Sequence, residues 1–229
     1  MSSNNVNDQV FKEKRKPKGE IKYGVQLNEE QKLAKGEIYR NTITIVKGQA
    51  GSGKTLLLAN VALDMLYKRD VEKVIMIRPA VTAGENIGYL PGSLEDKLTP
   101  FTTPITENMI KLDKKEKIES LLQEGRIEIL PVAFARGRNF SDAFIIIDEA
   151  QNVTHLQMQL LLGRLCKGSK LAICGDNSQI DLRDKKDSGF DFLIKHMKGV
   201  EGFGFVDLKT NHRHEIVEDI LKIYKEFGS

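Results

Sequence analysis

Short apolar segments alternate with segments of helical spacing along most of the chain. Six apolar or β-branched runs predict strands, at residues 42–46, 73–77, 127–130, 143–147, 170–174 and 204–208. Three intervening segments have the length and apolar spacing of helices, at residues 55–67, 154–165 and 214–227. Continuous apolar runs suit strands that are covered on both faces. The pattern therefore predicts an α/β fold with a mostly parallel sheet flanked by helices.

The composition is that of a globular protein. Of 229 residues, 40% are hydrophobic and 29% are charged, which excludes a disordered or fibrous chain. No run approaches the roughly 20 apolar residues that a membrane helix needs, and the polar start has no signal-peptide core. We therefore predict a cytoplasmic protein without membrane contact.

The surplus positive charge lies at the N-terminus. The formal net charge is +3, and residues 1–24 contain six Lys or Arg against three Asp or Glu. Such a run is typical of a solvated tail, and it would also raise affinity for phosphate backbones. We predict a basic, flexible leader over residues 1–24 and a single domain over residues 25–229.

The interval 79–112 interrupts the alternation of strands and helices. It holds four of the six prolines of the chain together with three glycines, but it is also rich in Leu, Ile, Phe and Tyr. Loops this long inside a compact domain are usually functional or disordered. We predict a functional loop here.

Residues 48–55 match the pattern G-x-x-x-x-G-K-[ST] between an apolar strand and an apolar helix. Glycines let main-chain N–H groups turn toward a phosphate chain, and the positive end of the following helix favours its charge. Lys54 is expected to reach the β and γ phosphates of ATP, and the Thr55 hydroxyl to bind Mg²⁺. The nucleotide-binding candidates are Gly48, Gln49, Ala50, Gly51, Ser52, Gly53, Lys54 and Thr55. The register of strand, loop and helix disfavours an incidental glycine-rich turn.

Two adjacent carboxylates end the buried strand predicted at 143–147. Ligands of such sheets bind at the carboxyl ends of the strands. Asp148 could hold Mg²⁺, and Glu149 could orient and deprotonate the attacking water. An apolar run followed by Asp-Glu can also be a helix start, but its pairing with residues 48–55 favours the functional interpretation.

The strand predicted at 170–174 also ends in polar residues. Gln179 is the candidate to sense the γ-phosphate or to position water, because a neutral amide both donates and accepts hydrogen bonds. A plain turn of Gly, Asp, Asn and Ser would satisfy the same composition.

Four arginines could stabilise phosphate oxygens, because a guanidinium group stays positively charged and forms bidentate hydrogen bonds. Arg213 is the candidate transition-state finger, either in its own chain or from a neighbouring subunit. Arg78, Arg136 and Arg138 are candidates for ATP contacts, for nucleic-acid contacts or for purely structural roles.

Cysteines and histidines give no sign of a metal site. Cys166 and Cys174 lack metal-ligand spacing, and we predict that both are small core residues. The four histidines also lack metal spacing, and we expect His155 and His196 on helix surfaces.

With these motifs the chain resembles the PhoH family of P-loop ATPases over about residues 27–224. The resemblance rests on GQAGSGKT (48–55), RPAVTAGENIGYLPGSLEDKLTPF (78–101), RGR (136–138), DAFIIIDEAQN (142–152) and GDNSQIDL (175–182). The block 78–101 is the most specific of these. The resemblance implies a RecA-like fold, a glutamate base beside the metal aspartate and a glutamine in the motif that follows.

The resemblance also implies that the Gln31 side-chain amide reads the adenine edge. It further implies ATP hydrolysis, RNA binding or unwinding, and ring-shaped homo-oligomers, hexamers in the family, with Arg213 acting across the subunit boundary. The family usually has Val-Val before its C-terminal Arg-His, and the sequence Asn211-His212-Arg213-His214 departs from that pattern.

The sequence therefore predicts a Mg²⁺-dependent ATPase that acts on or with RNA, with the interval 79–112 as its contact surface. One alternative is a nucleotide-dependent switch or scaffold that hydrolyses ATP slowly and regulates a partner. A small-kinase phosphotransferase is a second alternative, which the Asp148-Glu149 pair disfavours.

Overall fold

The computed structural model describes residues 23–79 and 94–227. The strands are β1 (Ile43–Gly48), β2 (Lys73–Arg78), β3 (Ile127–Pro131), β4 (Ala143–Ile147), β5 (Lys170–Gly175) and β6 (Phe203–Leu208). They form one sheet in the order β3-β2-β4-β5-β1-β6, and every neighbouring pair is parallel. The predicted α/β class is confirmed, and each predicted strand agrees with an observed one to within one or two residues.

The strand order is that of a RecA-like sheet. β5 lies between β1, which leads into the glycine-rich loop, and β4, which leads into the two carboxylates. Burial is almost complete along β4 and β5, as their continuous apolar sequences require. The predicted leader lies almost entirely outside the described residues and remains a prediction.

Seven α-helices accompany the strands in the described residues. They are α1 (Glu29–Arg40), α2 (Lys54–Tyr67), α3 (Leu94–Leu112), α4 (Lys115–Gln123), α5 (His155–Leu162), α6 (Gly189–His196) and α7 (Glu215–Phe227). The apolar pattern predicted α2, α5 and α7. The remaining four are missing from the prediction because they are short or mostly polar, or because, in α3, prolines argue against a helix.

The prediction of one long loop over residues 79–112 is wrong for the part that begins at Leu94. Residues 80–93 lie outside the described residues, whereas Leu94–Leu112 is helical despite Pro100 and Pro104. The side chains of Ile105 and Met109 are fully buried in the core cluster that includes α2. Tertiary burial therefore outweighs the low helix propensity of proline here.

The core has two layers, one on each face of the sheet. One layer packs α1 to α4 against the sheet, and the other packs α5 and α6 against the opposite face. α2 is buried along nearly its whole length, which fixes its N-terminus at the carboxyl end of β1. Among the residues described, none of the helices combines the length and apolarity needed to cross a bilayer.

Candidate active site

The glycines of the loop between β1 and α2 are required by its geometry. A Cβ atom at Gly48 would lie 2.5 Å from Ser52 Oγ and 3.0 Å from the Leu208 carbonyl oxygen. Gly51 and Gly53 have φ values of +94° and +77°, in the left-handed region that favours glycine. The local chain therefore folds back tightly above the N-terminus of α2.

A buried hydroxyl lacks a partner inside this loop. Ser52 is 3% exposed, and its Oγ has no hydrogen-bond partner among the described residues. Gly53 caps α2 without a side chain, so the first N–H groups of the helix also lack intrahelical acceptors. Since buried donors are normally satisfied, this concentration of free donors suits an anion such as a phosphate chain.

The Lys54 ammonium lies over the mouth of the loop. Its Nζ donates to the Gly48 carbonyl oxygen at 2.7 Å and to that of Gln49 at 3.0 Å. The main-chain nitrogen of Ala50 donates to Asp176 Oδ2 at 3.0 Å, which ties the loop to the segment after β5. The loop thus has a defined shape and carries one positive charge at its centre.

Thr55 and Asp148 bring a hydroxyl and a carboxylate together at the sheet edge. Thr55 Oγ1 lies 3.4 Å and 3.5 Å from the two Asp148 carboxylate oxygens. Such oxygens are the ligands that Mg²⁺ prefers, and the ion commonly keeps several waters and takes phosphate oxygens. Within the described part of the chain no cluster of three His, Cys, Asp or Glu residues could hold a metal. The donor set therefore fits Mg²⁺ held by these two residues together with a nucleotide.

Cys174 is a further neighbour of Asp148. The sequence predicted Cys174 only as a core residue. The Cys174 Sγ donates to Asp148 Oδ1 at 3.0 Å. Burial, followed by the Asp148 charge, raises the pKa of the Cys174 thiol well above its ordinary value, so the thiol stays protonated. The prediction of a core position is confirmed for Cys174, whereas Cys166 is only partly buried.

Glu149 is held by residues on both sides. Its backbone is left-handed, with φ +52° and ψ +37°, which turns the residue out of the strand direction. Gln151 Nε2 donates to Glu149 Oε2 at 2.8 Å, and Gln151 Oε1 accepts from the Asp176 nitrogen at 3.1 Å. Arg78 lies on the other side, 3.6 Å from Glu149 Oε1 and 3.4 Å from Asp148 Oδ2.

Sequence reasoning did not assign site roles to Asp176 and Gln151. Together they link the loop at Ala50 to the carboxylate of Glu149. The signal for Gln151 was its position two residues after Glu149, in a motif already noted. The sequence gives no specific sign of a site role for Asp176, because Gly, Asp, Asn and Ser after a strand are also ordinary turn residues.

A groove of about 640 Å³ opens beside the loop. Its lining includes Gln31, Ala50, Gly51, Gly53, Lys54, Thr55, Glu149 and Arg213, together with Asn108 of α3. Gln31 is buried, and its Nε2 is the atom nearest to a Cβ placed on Gly53. Its Oε1 accepts from the Asn28 nitrogen in the capping box of α1, which holds the amide at the rim of the groove.

Residues 209–213 form a strap across the loop of the same chain. The His212 nitrogen donates to the Gly51 carbonyl oxygen at 3.0 Å, and the Lys209 nitrogen donates to Glu30 Oε1 at 2.7 Å. The latter bond, outweighing the effect of burial, lowers the pKa of Glu30. Arg213 Cγ lies 2.8 Å from the position that a Cβ on Gly51 would take. The strap thus places the Arg213 side chain in the groove of its own chain.

Three predicted site residues lie away from this groove. Gln179 is exposed, and its main-chain nitrogen donates to the Asp176 carbonyl oxygen. Arg138 Nη2 forms an ion pair with Glu128 Oε2 at 2.7 Å. Arg136 lines a separate apolar pocket beside α5. The lining of the groove beside the glycine-rich loop therefore does not include these three residues.

The loop, its lysine and the carboxylates at the strand end place the chain among the P-loop NTPases. Within that class it belongs to the PhoH family, because the family described as PhoH-like protein matches residues 25–225. The resemblance that the motifs indicated is thereby confirmed.

Curated relatives agree with this assignment. The chain is 40% identical to a PhoH-like protein of Synechocystis over 82% of its own length and 58% of the relative. It is 36% identical to a PhoH-like protein of Bacillus subtilis, over 95% of this chain and 74% of the relative. It is 35% identical to Protein PhoH of Escherichia coli, over 69% of this chain and 46% of that protein. The chain thus spans between about half and three quarters of these relatives.

Solved structures with weaker similarity include two helicases. The Pif1 helicase from Candida albicans has a TM-score of 0.46 and 20% identity, over 88% of this chain and 44% of that one. The UvsW helicase from Bacteriophage T4 has a TM-score of 0.49 and 17% identity, over 81% of this chain and 61% of that one.

Proposed function

We propose that the protein is a Mg²⁺-dependent ATPase that acts on or with RNA in the cytoplasm. The observation that carries the ATPase proposal is the buried, unpartnered Ser52 hydroxyl in a glycine-rich loop that faces Thr55, Asp148 and Glu149. RNA as the partner follows from the family resemblance.

The loop and α2 bind the triphosphate in this proposal. Main-chain N–H groups of the loop and of the first turn of α2 donate to phosphate oxygens, together with the Ser52 hydroxyl. Lys54 leaves its carbonyl partners and pairs with the β and γ phosphates. Thr55 and Asp148 would hold Mg²⁺, which neutralises charge on the phosphates and orients them.

Glu149 acts as the general base. It accepts a proton from the attacking water as the water oxygen bonds to the γ-phosphorus and the bond to the β–γ bridging oxygen breaks. Gln151 and Arg78 support this role because they hold the two carboxylate oxygens from opposite sides. Arg213 acts on the nucleotide of its own chain, and its place beside Gly51 supports that choice over the trans role in the family.

Slow hydrolysis in a regulatory switch is a second candidate, and one contact favours it. Arg78 is only 19% exposed and lies 3.4 Å from Asp148 Oδ2 and 3.6 Å from Glu149 Oε1, so an ion pair engages the carboxylate that must meet the attacking water. A base restrained in this way would work slowly until a partner moved Arg78.

We further propose that the protein works as a homo-oligomer, a hexameric ring by the family resemblance. Support comes from α7, where seven large apolar side chains are each at least 37% exposed: Ile216, Val217, Ile220, Leu221, Ile223, Tyr224 and Phe227. They share one side of the helix, and such a patch marks an interaction surface. The helix also contains four acidic and two basic residues. This net negative charge disfavours binding to anionic lipid or nucleic acid. A second copy is the occupant that we propose.

The solution mass of the protein tests the assembly. Replacing both Ile220 and Ile223 with Glu should convert an oligomer into a monomer, because two charges would be buried in the interface. Leu33→Glu is the matched control, since Leu33 is 72% exposed on α1 and should leave the mass unchanged. An unchanged mass in the double variant would contradict the role of α7.

Release of free phosphate from ATP, measured with and without RNA and Mg²⁺, tests the function. The proposal expects steady release that needs Mg²⁺ and rises with RNA. Release that is slow and equal with and without RNA at several salt concentrations would favour the switch, and no release with intact binding would reject an ATPase.

A further inference from the structure

A second open groove lies between α6 and the start of α5. It has a volume of about 340 Å³, and its lining includes His155, Lys185, Lys186, Phe192, Lys195 and His196. We call it the α5–α6 groove. None of these side chains takes part in the nucleotide chemistry proposed above.

The groove has a surplus of positive charge. Lys185 and Lys186 are exposed, and neither forms an ion pair with any residue that the structure describes. Asp191 is the carboxylate in the lining, and its Oδ2 pairs with Lys195 Nζ at 2.6 Å. Nearby Asp184 accepts from the main-chain nitrogen of Lys186. Two lysine charges are therefore left free to meet an anion.

An exposed aromatic platform accompanies the lysines. Phe192 is 46% exposed, and its ring centroid lies 4.5 Å from that of His196 and 5.2 Å from that of His155. The His155 ring is held in turn by a hydrogen bond between Nε2 and the Lys186 carbonyl oxygen at 3.1 Å. Three rings thus meet at the edge of a positively charged groove.

We infer that the α5–α6 groove binds single-stranded RNA. Lys185 and Lys186 contact phosphates, and Phe192 offers a ring on which a base stacks, which is the usual combination in single-strand binding. An acidic peptide would use the lysines but would gain little from an exposed ring. The combination of cations and rings therefore favours a nucleic acid.

The groove also shares a loop with the nucleotide site. Asn177 and Ile180 line the groove. The neighbouring Asp176 accepts from the Ala50 nitrogen through Oδ2, and its main-chain nitrogen donates to Gln151 Oε1. The same short segment therefore touches RNA on one side and the P-loop on the other. RNA in the groove would shift this segment and, through Gln151, the position of Glu149.

This inference rests on the proposed action on RNA, and one set of measurements separates the two. Binding of a fluorescently labelled oligouridylate is followed by anisotropy across salt concentrations. Phe192→Ala should weaken binding about 5- to 150-fold through the lost stacking. Replacing Lys185 and Lys186 with Gln should reduce the slope of log affinity against log salt by about 1.4. Both variants should keep their hydrolysis rate without RNA and lose its stimulation by RNA.

Controls identify which proposal fails. Phe134→Ala removes a similarly exposed ring away from the groove and should bind RNA normally. If the unaltered protein does not bind the probe, RNA action itself is rejected. If it binds but the groove variants bind equally well, only the groove is rejected. Equal displacement of the probe by polyglutamate would also reject the groove as an RNA site. If Phe192→Ala disturbs folding, the salt dependence of RNA binding by the variant with Gln in place of Lys185 and Lys186 tests the groove instead.

Discussion

The side-chain nitrogen of Gln151 lies 2.8 Å from a carboxylate oxygen of Glu149, and the other end of the same amide accepts the main-chain N–H of Asp176. One buried amide therefore sets the position of the proposed base and of the loop that contacts Ala50. This relationship makes Gln151 a positioning residue, because it acts through Glu149.

Replacing Gln151 tests that role. Gln151→Leu should lower kcat about 10- to 100-fold, because a misplaced base loses its geometry, while KM for ATP changes little. Gln151→Glu keeps an acceptor for Asp176 and removes the donor to Glu149, so it should reproduce most of the loss. A variant with higher KM and unchanged kcat would instead assign Gln151 to the loop. Gln159→Leu, on an exposed position of α5, is the control.

The Lys54 ammonium should dominate phosphate affinity. Lys54→Ala should weaken ATP binding about 10- to 150-fold, because charge-assisted hydrogen bonds to the phosphates are lost. Calorimetry with a non-hydrolysable ATP analogue measures the affinity. Lys167→Ala removes an exposed lysine elsewhere and should leave it unchanged. Near-normal affinity in the Lys54 variant would argue against the role of the loop.

Glu149→Gln should separate binding from hydrolysis. The amide keeps the size of the side chain but cannot take a proton, so turnover should fall by about two orders of magnitude or more. ATP should still bind, since the loop is unchanged. Single-turnover assays and nucleotide-binding measurements on the same protein check both points. Glu201→Gln, on an exposed turn, should behave as the unaltered protein, and unchanged turnover for Glu149→Gln would remove Glu149 from the mechanism.

Mixing two inactive variants decides where Arg213 acts. Arg213→Ala should lower turnover about 10³-fold if its charge stabilises the transition state. Because Arg213 lies beside Gly51 of its own chain, we expect no recovery when Arg213→Ala and Glu149→Gln proteins are mixed. Recovery of activity in the mixture would show that Arg213 reaches a neighbouring subunit, as the family resemblance implies.

The sequence predicted the part of the site that depends on local pattern. The P-loop and the Asp148-Glu149 pair follow from a motif and from a strand end, so their positions could be read from the chain alone. The strap at Arg213 and the link through Gln151 depend on which strands are neighbours, and a single sequence does not record that order. Gln179 and Arg136 were predicted from motifs alone, but neither residue lines the groove beside the glycine-rich loop.

Asp64 should make stability depend on pH. It is buried, and although burial raises its pKa, hydrogen bonds from Lys35 and Lys68 outweigh that effect and lower the pKa below its ordinary value. Tyr39 also donates to it at 2.9 Å, and burial, followed by the Asp64 charge, raises the pKa of Tyr39, which keeps this donor protonated.

A carboxylate with a lowered pKa stabilises the fold fully above the ordinary pKa of an Asp, and this stabilisation is lost as the pH falls through the lower folded value. The free energy of unfolding should therefore decline below about pH 4. Asp64→Asn should cost about 1–3 kcal/mol at pH 7 and show a weaker decline with acid, measured by urea unfolding at several pH values. Asp207→Asn, at an exposed position of β6, should keep the original profile. Equal acid sensitivity in the Asp64 variant would assign the decline to other carboxylates.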